Sequence, residues 1–417
     1  MISKFKKVKE YIPPLLIVSV IIVSFALGIH NATLYNPNHG FDGEAHLFYI
    51  NYIAQNKKLP SADISWSETH QSPIYYIIGA GLKILTGDIK TVQYINIFVL
   101  WLIIIMVGAA LRKVFKNKHK VLIGMFSLAA MPMLNIFPAM VTNELLNTFW
   151  IVSVSTGSIF LVLSKKIKQI VNCSLWIALS LILGYWTKVS VILIVPTVVI
   201  VYLYLFFRSK FNKRIIFATA LIFSITVIFF CLPVFNRAKN STNPSSNIIR
   251  PIFVKPGRSL DFYFRLDWIV KADMYNTQYY SLLGGAWNSF LTDGHNAITP
   301  FVKFHKKSFI LWSLGFILLP ISLYGLKLIL KKEKKIWLIL TLIGVEMLVV
   351  YAYYNLNSHY SAARLTYEMG IVVPYAFGIA SASENKKLKL PILFLLLIQF
   401  FIMVSFFWIQ PWWHVTK

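Results

Sequence analysis

The composition of this 417-residue chain excludes a soluble globular protein. Hydrophobic residues make up 57% of it, charged residues only 13%, and its mean hydropathy is +0.65, which is more apolar surface than a soluble core could bury. The net charge of +26 does not predict a nucleic-acid partner, because the basic residues fall in short segments between apolar runs. The sequence therefore predicts an all-α, polytopic transmembrane bundle.

The first predicted span follows a basic N-terminus. Lys4, Lys6, Lys7 and Lys9 precede an apolar run over about 11–29, which is too long for a signal-peptide core and predicts an uncleaved span that starts inside. Ten further apolar runs are long enough to cross a bilayer. They lie near 93–111, 121–140, 147–164, 171–187, 189–207, 215–235, 308–330, 336–354, 366–382 and 390–409. We therefore expect about eleven spans.

The apolar run 73–85 is too short to be a twelfth span. At 1.5 Å per residue it covers roughly 20 Å, against a hydrocarbon slab of roughly 30 Å. If it does not cross, six basic clusters holding 24 of the 41 Lys and Arg residues all fall inside. These clusters are Lys4–Lys9, Arg112–Lys120, Lys165–Lys168, Arg208–Arg214, Lys327–Lys335 and Lys386–Lys389. We therefore predict an interfacial helix over 73–85, on the outer face.

This topology makes residues 1–417 a single membrane domain with two long outer segments, 30–92 and 236–307. The first segment contains Gly40-Phe41-Asp42-Gly43-Glu44-Ala45-His46, in a chain with only 15 acidic residues. Two carboxylates and a histidine just after a span indicate a reaction site, although acidic residues also favour the start of a helix. Downstream lie Leu59-Pro60 and His70-Gln71-Ser72-Pro73-Ile74-Tyr75-Tyr76.

This order of features resembles the GT-C glycosyltransferases of the protein O-mannosyltransferase and aminoarabinose-transferase kind. Those multi-span enzymes take a sugar from a polyprenyl-phosphate carrier on the outer side of the membrane. The resemblance is specific over about 38–80, with weaker echoes at 142–145, 187–190 and 359–364. It departs from the family at one position, because Gly43 stands where an acidic residue usually follows the catalytic aspartate.

The resemblance implies an inverting transfer with Asp42 as the base that deprotonates the acceptor. A lipid phosphate is a good leaving group, so the reaction needs a base and nearby positive charge more than an acid. His46 would share a helical face with Asp42 and orient it or bind the acceptor. Glu44 would replace the missing acidic neighbour only if the segment is not yet helical.

Further residues are expected to bind substrate. Lys188 and Arg364 stand at predicted outer helix ends. There they could bind the lipid phosphate, or their long side chains could simply extend to the membrane interface. Glu144 is either a second acid near the acceptor or a helix-start carboxylate. The other candidates are His70, Tyr75, His359 and Tyr360.

No cofactor is required by this chemistry. A divalent ion held by His30, His39, His46, His70 and the nearby carboxylates is an alternative, although their spacing matches no metal motif. We expect a polyprenyl-phosphate-linked sugar as donor, a lipid, glycan or protein as acceptor, and membrane lipids as surroundings. The Lys- and Ile-rich composition is typical of bacteria, which predicts the plasma membrane, a cytoplasmic N-terminus and an extracytoplasmic active site.

Two other functions remain open at this level. A secondary transporter or flippase for an anionic lipid or sugar phosphate would use the same charged groups, but mainly near the middle of the membrane. An envelope polysaccharide polymerase or ligase would depend on basic residues of the second outer segment. These are Arg250, Arg258, Arg265 and His295.

Overall fold

The protein is described by a computed structural model that covers residues 2–40, 42–64, 67–208, 213–239, 259–271, 277–292, 305–356 and 365–410. Over these ranges the chain forms helices and no β-strand. The helices are α1 (Ile2–Leu34), α2 (Gly43–Asn56), α3 (Ile74–Thr86), α4 (Thr91–Val114), α5 (Lys118–Ala129), α6 (Pro132–Ile136), α7 (Glu144–Val162), α8 (Ile167–Tyr185), α9 (Val195–Arg208), α10 (Lys213–Lys239), α11 (Leu260–Phe264), α12 (Asp267–Lys271), α13 (Thr277–Tyr280), α14 (Leu282–Leu291), α15 (His305–Lys332), α16 (Lys334–Leu356), α17 (Val372–Ala382) and α18 (Lys386–Phe407). Short 3-10 segments cover Glu68–His70, Phe137–Ala139, Val189–Ile194 and Leu365–Ile371.

Nine helices within the described ranges are long and apolar enough to span a membrane, which confirms a multi-pass membrane protein. Two of the expected spans are not continuous helices. The segment 121–140 bends by 57° between α5 and Pro132–Ala139, because a proline cannot continue the preceding helix. The segment 366–382 is a 3-10 turn followed by the 11-residue α17. Every residue of α17 is buried, and broken helices are tolerated at membrane depth when protein surrounds them.

The bundle has two ends. We call the end where α1 and α8 terminate the upper end, and the end where α4 terminates the lower end. Both ends of α3 lie at the upper end. The Ile74 amide donates to the Trp186 carbonyl at 2.9 Å, and the Lys90 ammonium, just after α3, donates to the Thr33 carbonyl at 2.8 Å. The helix over 73–85 therefore lies along the upper end and does not cross, as the charge pattern predicts.

Burial separates the centre of the bundle from its rim. Of the 18 most apolar consecutive residues in each helix, 89% are buried in α7 and only 11% in α10. The α7 helix is therefore the central span, and α10 faces lipid along most of its length. Because α7 begins with Glu144 at the upper end, the best-buried helix brings an acidic residue to that surface.

Candidate active site

Asp42 is held in an unusual backbone conformation at the upper end. It immediately precedes α2 with φ 55° and ψ 27°, and its exposed side chain makes no capping hydrogen bond to the helix. A left-handed conformation costs a non-glycine residue about 1–2 kcal/mol, and such strain is concentrated at functional sites. The Asp42 carboxylate is therefore open to a ligand and is not used as a helix cap.

The packing around Gly43 explains the departure from the family pattern. A Cβ atom at Gly43 would lie 2.8 Å from the carbonyl oxygen of Asn38, a distance at which something must shift. An acidic side chain cannot follow Asp42 without moving that backbone. Glu44, the next carboxylate, is exposed, and no described interaction links it to His46 or to the acidic residues of the site.

His46 is part of a buried aromatic stack. Its Nδ1 is 2.9 Å from the Tyr76 hydroxyl, and the Tyr49 ring stacks on Tyr76 with centroids 4.0 Å apart. Burial, followed by the positive charge of Lys188, lowers the pKa of His46 to about 3, so the ring is neutral at physiological pH. Tyr76 therefore holds the ring in place, and the roles of His46 in orienting Asp42 or binding the acceptor stay predictions.

A 3-10 turn carries a carboxyl group that the sequence reasoning missed. Glu68 accepts a hydrogen bond from the Gln71 side chain, and its Oε2 lies 3.8 Å from the Nε2 of His70. The pKa of Glu68 is raised to about 7, first by burial and then by the negative charge of Asp42, while the positive charge of Lys188 acts in the opposite direction. Burial likewise lowers the pKa of His70, although a hydrogen bond with the Ser67 carbonyl works against it.

An ion pair faces this turn from the central helix. The Lys188 ammonium lies 2.5 Å from Glu144 Oε1, and the side chains are only 18% and 8% exposed. Asn143, one residue before Glu144, donates a hydrogen bond to the Gln71 side chain. Gln71 therefore joins the acidic turn to the start of α7.

Electrostatics show which predicted residues the fold brings together. Asp42 and Lys188 both act on Glu68 and on His70, and Glu144 also acts on Glu68. These five groups therefore form one cluster at the upper end. In contrast, Tyr75 is fully buried and packs edge-on against Tyr76. His359, Tyr360 and Arg364 lie outside the described residues.

The other candidates do not join this cluster. His30 stacks on Trp408 with centroids 3.9 Å apart, and His39 packs edge-on against Tyr35. Across the described ranges, no group of three His, Cys, Asp or Glu side chains has a geometry that could hold a metal ion. Arg265 is engaged by Asp261 and Asp267. Arg250, Arg258 and His295 lie outside the described residues.

Arg237, near the upper end of α10, fixes the loop that carries Glu68. Its guanidinium donates to the carbonyls of Pro60 and Thr69, both at 2.9 Å, and to the Tyr49 hydroxyl at 3.3 Å. A planar guanidinium suits such a multiple contact. In the sequence, Arg237 appears only as a cation at a span end, which gave no sign of this role.

An apolar groove of about 780 Å³ lies between α15 and α16. It extends from Trp268 and Trp287 at the upper end to Lys327 and Trp337 near the lower end. Its walls are almost entirely aliphatic and aromatic side chains of α14–α17. A groove of this length and chemistry can accommodate a hydrocarbon chain.

Comparison with solved structures identifies the fold. No protein-family model and no curated protein sequence matches this chain. It is similar to ArnT from Cupriavidus metallidurans in the apo state (TM-score 0.60, 11% identity, 89% of this chain and 59% of that one) and bound to undecaprenyl phosphate (TM-score 0.57, 11% identity, 89% and 60%).

An oligosaccharyltransferase from Archaeoglobus fulgidus aligns with a TM-score of 0.48 and 14% identity over 94% of this chain and 53% of that one. The chain thus spans about 60% of the length of the ArnT structures. At 11% identity, the similarity to the ArnT structures shows the fold alone. The chain therefore has the helical, membrane-embedded fold of the GT-C glycosyltransferases.

Proposed function

We propose that the protein is an integral-membrane inverting glycosyltransferase, which moves a sugar from a polyprenyl-phosphate carrier to an acceptor on the extracytoplasmic side. The observation that carries this proposal is the cluster of Asp42 and Lys188, whose charges both act on Glu68 and His70. It combines an open carboxylate with a cation at the end of a GT-C bundle. That pairing is what sugar transfer from a lipid phosphate requires.

The chemistry follows from these groups. The Asp42 carboxylate removes the proton of the acceptor hydroxyl or amine while the acceptor attacks the anomeric carbon. The bond from that carbon to the phosphate oxygen breaks, and the polyprenyl phosphate departs with the bonding electrons. Lys188 offsets the charge on the departing phosphate, with Glu144 holding its ammonium in place. A single displacement of this kind inverts the anomeric configuration.

Glu68 and His70 are assigned to substrate contacts. With a pKa of about 7, the Glu68 carboxyl is partly protonated near neutral pH and can both donate to and accept from a sugar hydroxyl. Arg364, His359 and Tyr360 remain proposed phosphate contacts, whereas the burial of Tyr75 argues against direct contact with substrate.

The carrier lipid is supported by two observations. ArnT, which shares the fold, was solved bound to undecaprenyl phosphate. The apolar groove between α15 and α16 provides a place for an isoprenoid chain along the bundle. We place residues 30–92 as the catalytic outer loop, 236–307 as the second outer loop, and the protein in the plasma membrane with its N-terminus in the cytoplasm.

A transporter fits the charge distribution less well. Proton-coupled transporters place ionisable groups at mid-membrane, whereas Asp42, Glu68, Glu144 and Lys188 all lie at the upper end. Glu346 of α16 lies mid-span and bonds the Thr197 hydroxyl at 2.6 Å, so it is the described group that a transporter would use.

The test measures sugar release and lipid movement with the same protein. Purified protein is incubated with radiolabelled polyprenyl-phosphate sugars and candidate acceptors, and is also reconstituted in vesicles that report movement of the labelled lipid between leaflets. We expect release of free polyprenyl phosphate with a product of inverted configuration. Lipid movement without any turnover across the donor panel would overturn the proposal in favour of a flippase.

A further inference from the structure

A second cavity opens at the lower end of the bundle, across the membrane thickness from Asp42. It has a volume of about 560 Å³ and lies where three connections meet: those between α4 and α5, between α15 and α16, and between α17 and α18. Five lysines line it. They are Lys116, Lys120, Lys332, Lys386 and Lys389. None of the residues assigned to sugar transfer contributes to this cavity.

The charges of the cavity are only partly balanced. Glu384 pairs with Lys120 at 3.0 Å and with Lys332 at 2.5 Å. Glu333 is the second acidic residue in the lining, so five lysines face two carboxylates and leave a net charge of +3. Within the described ranges no carboxylate lies within 4.0 Å of the ammonium groups of Lys116, Lys386 or Lys389.

The cavity also has an apolar wall. Val114 and Phe115 close the end of α4, and the buried Ile329 contributes from α15. Concave positive charge beside apolar side chains at the ends of spanning helices matches an anionic lipid, whose phosphate meets the lysines while its chains follow the helices. A free phosphate ion would use the cations but not the wall.

We propose that this cavity is a binding site for a phosphate group, supplied by the headgroup of an anionic phospholipid in the leaflet at the lower end. Lys116, Lys386 and Lys389 bind the phosphate, and Glu384 keeps Lys120 and Lys332 partly engaged in the absence of lipid. The site joins three connections that are far apart in sequence. This proposal is independent of the sugar-transfer chemistry at the upper end.

The test uses delipidated, purified full-length protein in neutral detergent. Phosphatidylglycerol, phosphatidylcholine and inorganic phosphate are titrated separately, and bound ligand is counted by native mass spectrometry. The variant is Lys116→Gln/Lys386→Gln/Lys389→Gln. The matched control is Lys165→Gln/Lys166→Gln/Lys168→Gln, which removes the same charge from exposed residues outside the cavity, in the connection between α7 and α8 and the first turn of α8.

Each lysine near a phosphate contributes about fivefold in affinity, so the cavity variant should bind phosphatidylglycerol weaker by a factor on the order of 100, and the control should match wild type. If inorganic phosphate binds the wild-type protein as tightly as phosphatidylglycerol does, and the cavity variant loses this binding, the phosphate site is supported and its ligand is a soluble phosphate. Equal affinity of wild type and the cavity variant, or equal binding of phosphatidylcholine, would overturn the proposal.

A second variant tests the same site without removing a lysine. Glu384→Gln frees Lys120 and Lys332 for the ligand and removes a carboxylate that repels it. We expect tighter binding of phosphatidylglycerol by about fivefold or more. Weaker or unchanged binding in this variant would contradict the proposed arrangement of charges.

Discussion

The ion pair of Lys188 and Glu144 gives a quantitative prediction. Their charged atoms are 2.5 Å apart, and the side chains are 18% and 8% exposed. At an effective dielectric constant of about 20, this separation corresponds to a gross attraction of about 7 kcal/mol. Desolvation offsets part of it, and breaking a buried pair from one side typically costs about 3–5 kcal/mol. We expect Lys188→Met to lose that much stability, because the Glu144 carboxylate then stays buried without its partner.

A double-mutant cycle isolates the contribution of the pair. Glu144→Gln, Lys188→Met and the double variant are unfolded thermally in one detergent and followed by tryptophan fluorescence. The double variant should unfold at a higher temperature than Lys188→Met, since it buries no unpaired charge. As a control, Lys271→Met breaks the exposed pair with Asp267 and should change stability by less than about 1 kcal/mol. If the losses of stability in Glu144→Gln and Lys188→Met simply add up in the double variant, the reasoning is refuted.

Two further perturbations follow from the site geometry. Gly43→Ala should destabilise the protein by about 1–3 kcal/mol, because the new Cβ atom would meet the backbone of Asn38. The control Gly81→Ala should not destabilise it, because no atom lies within 4 Å of a Cβ atom there. Equal unfolding temperatures of the two variants would contradict this packing. Lys188→Gln should raise the pKa of Glu68 above about 7, and Asp42→Asn should lower it, because the two charges act on Glu68 in opposite directions. Infrared titration against a Glu68→Gln reference measures both shifts, and pKa shifts of the same sign would contradict the placement of Asp42 and Lys188 beside Glu68.

The nine long apolar helices of the described residues could be predicted from hydropathy, since each of them lies in one of the expected apolar runs. The sequence could not show that the segments 121–140 and 366–382 are broken helices, because the breaks depend on how α17 packs inside the bundle. Apolar composition looks the same whether a segment faces lipid or is enclosed by protein. The proline at 132 was a visible signal for the first break.

The site could be predicted in part. Asp42 of the acidic motif lies near the later Glu144 and Lys188 at the upper end, whereas Glu44 does not join them. Glu68 was missed, because its significance comes from burial in a 3-10 turn that no local pattern reveals. The need for a glycine at position 43 also could not be predicted, because the Asn38 backbone lies beside Gly43 only after the chain has turned.

The role of Asp42 is tested most directly by sugar release from a polyprenyl-phosphate donor with Asp42→Asn. The matched control is Asp88→Asn, which makes the same change at an exposed residue of the upper end, in the turn between α3 and α4. Loss of a general base lowers turnover by a factor on the order of 100 to 10,000, so Asp42→Asn should be nearly inactive while Asp88→Asn matches wild type. Equal turnover by Asp42→Asn and wild type would contradict the account.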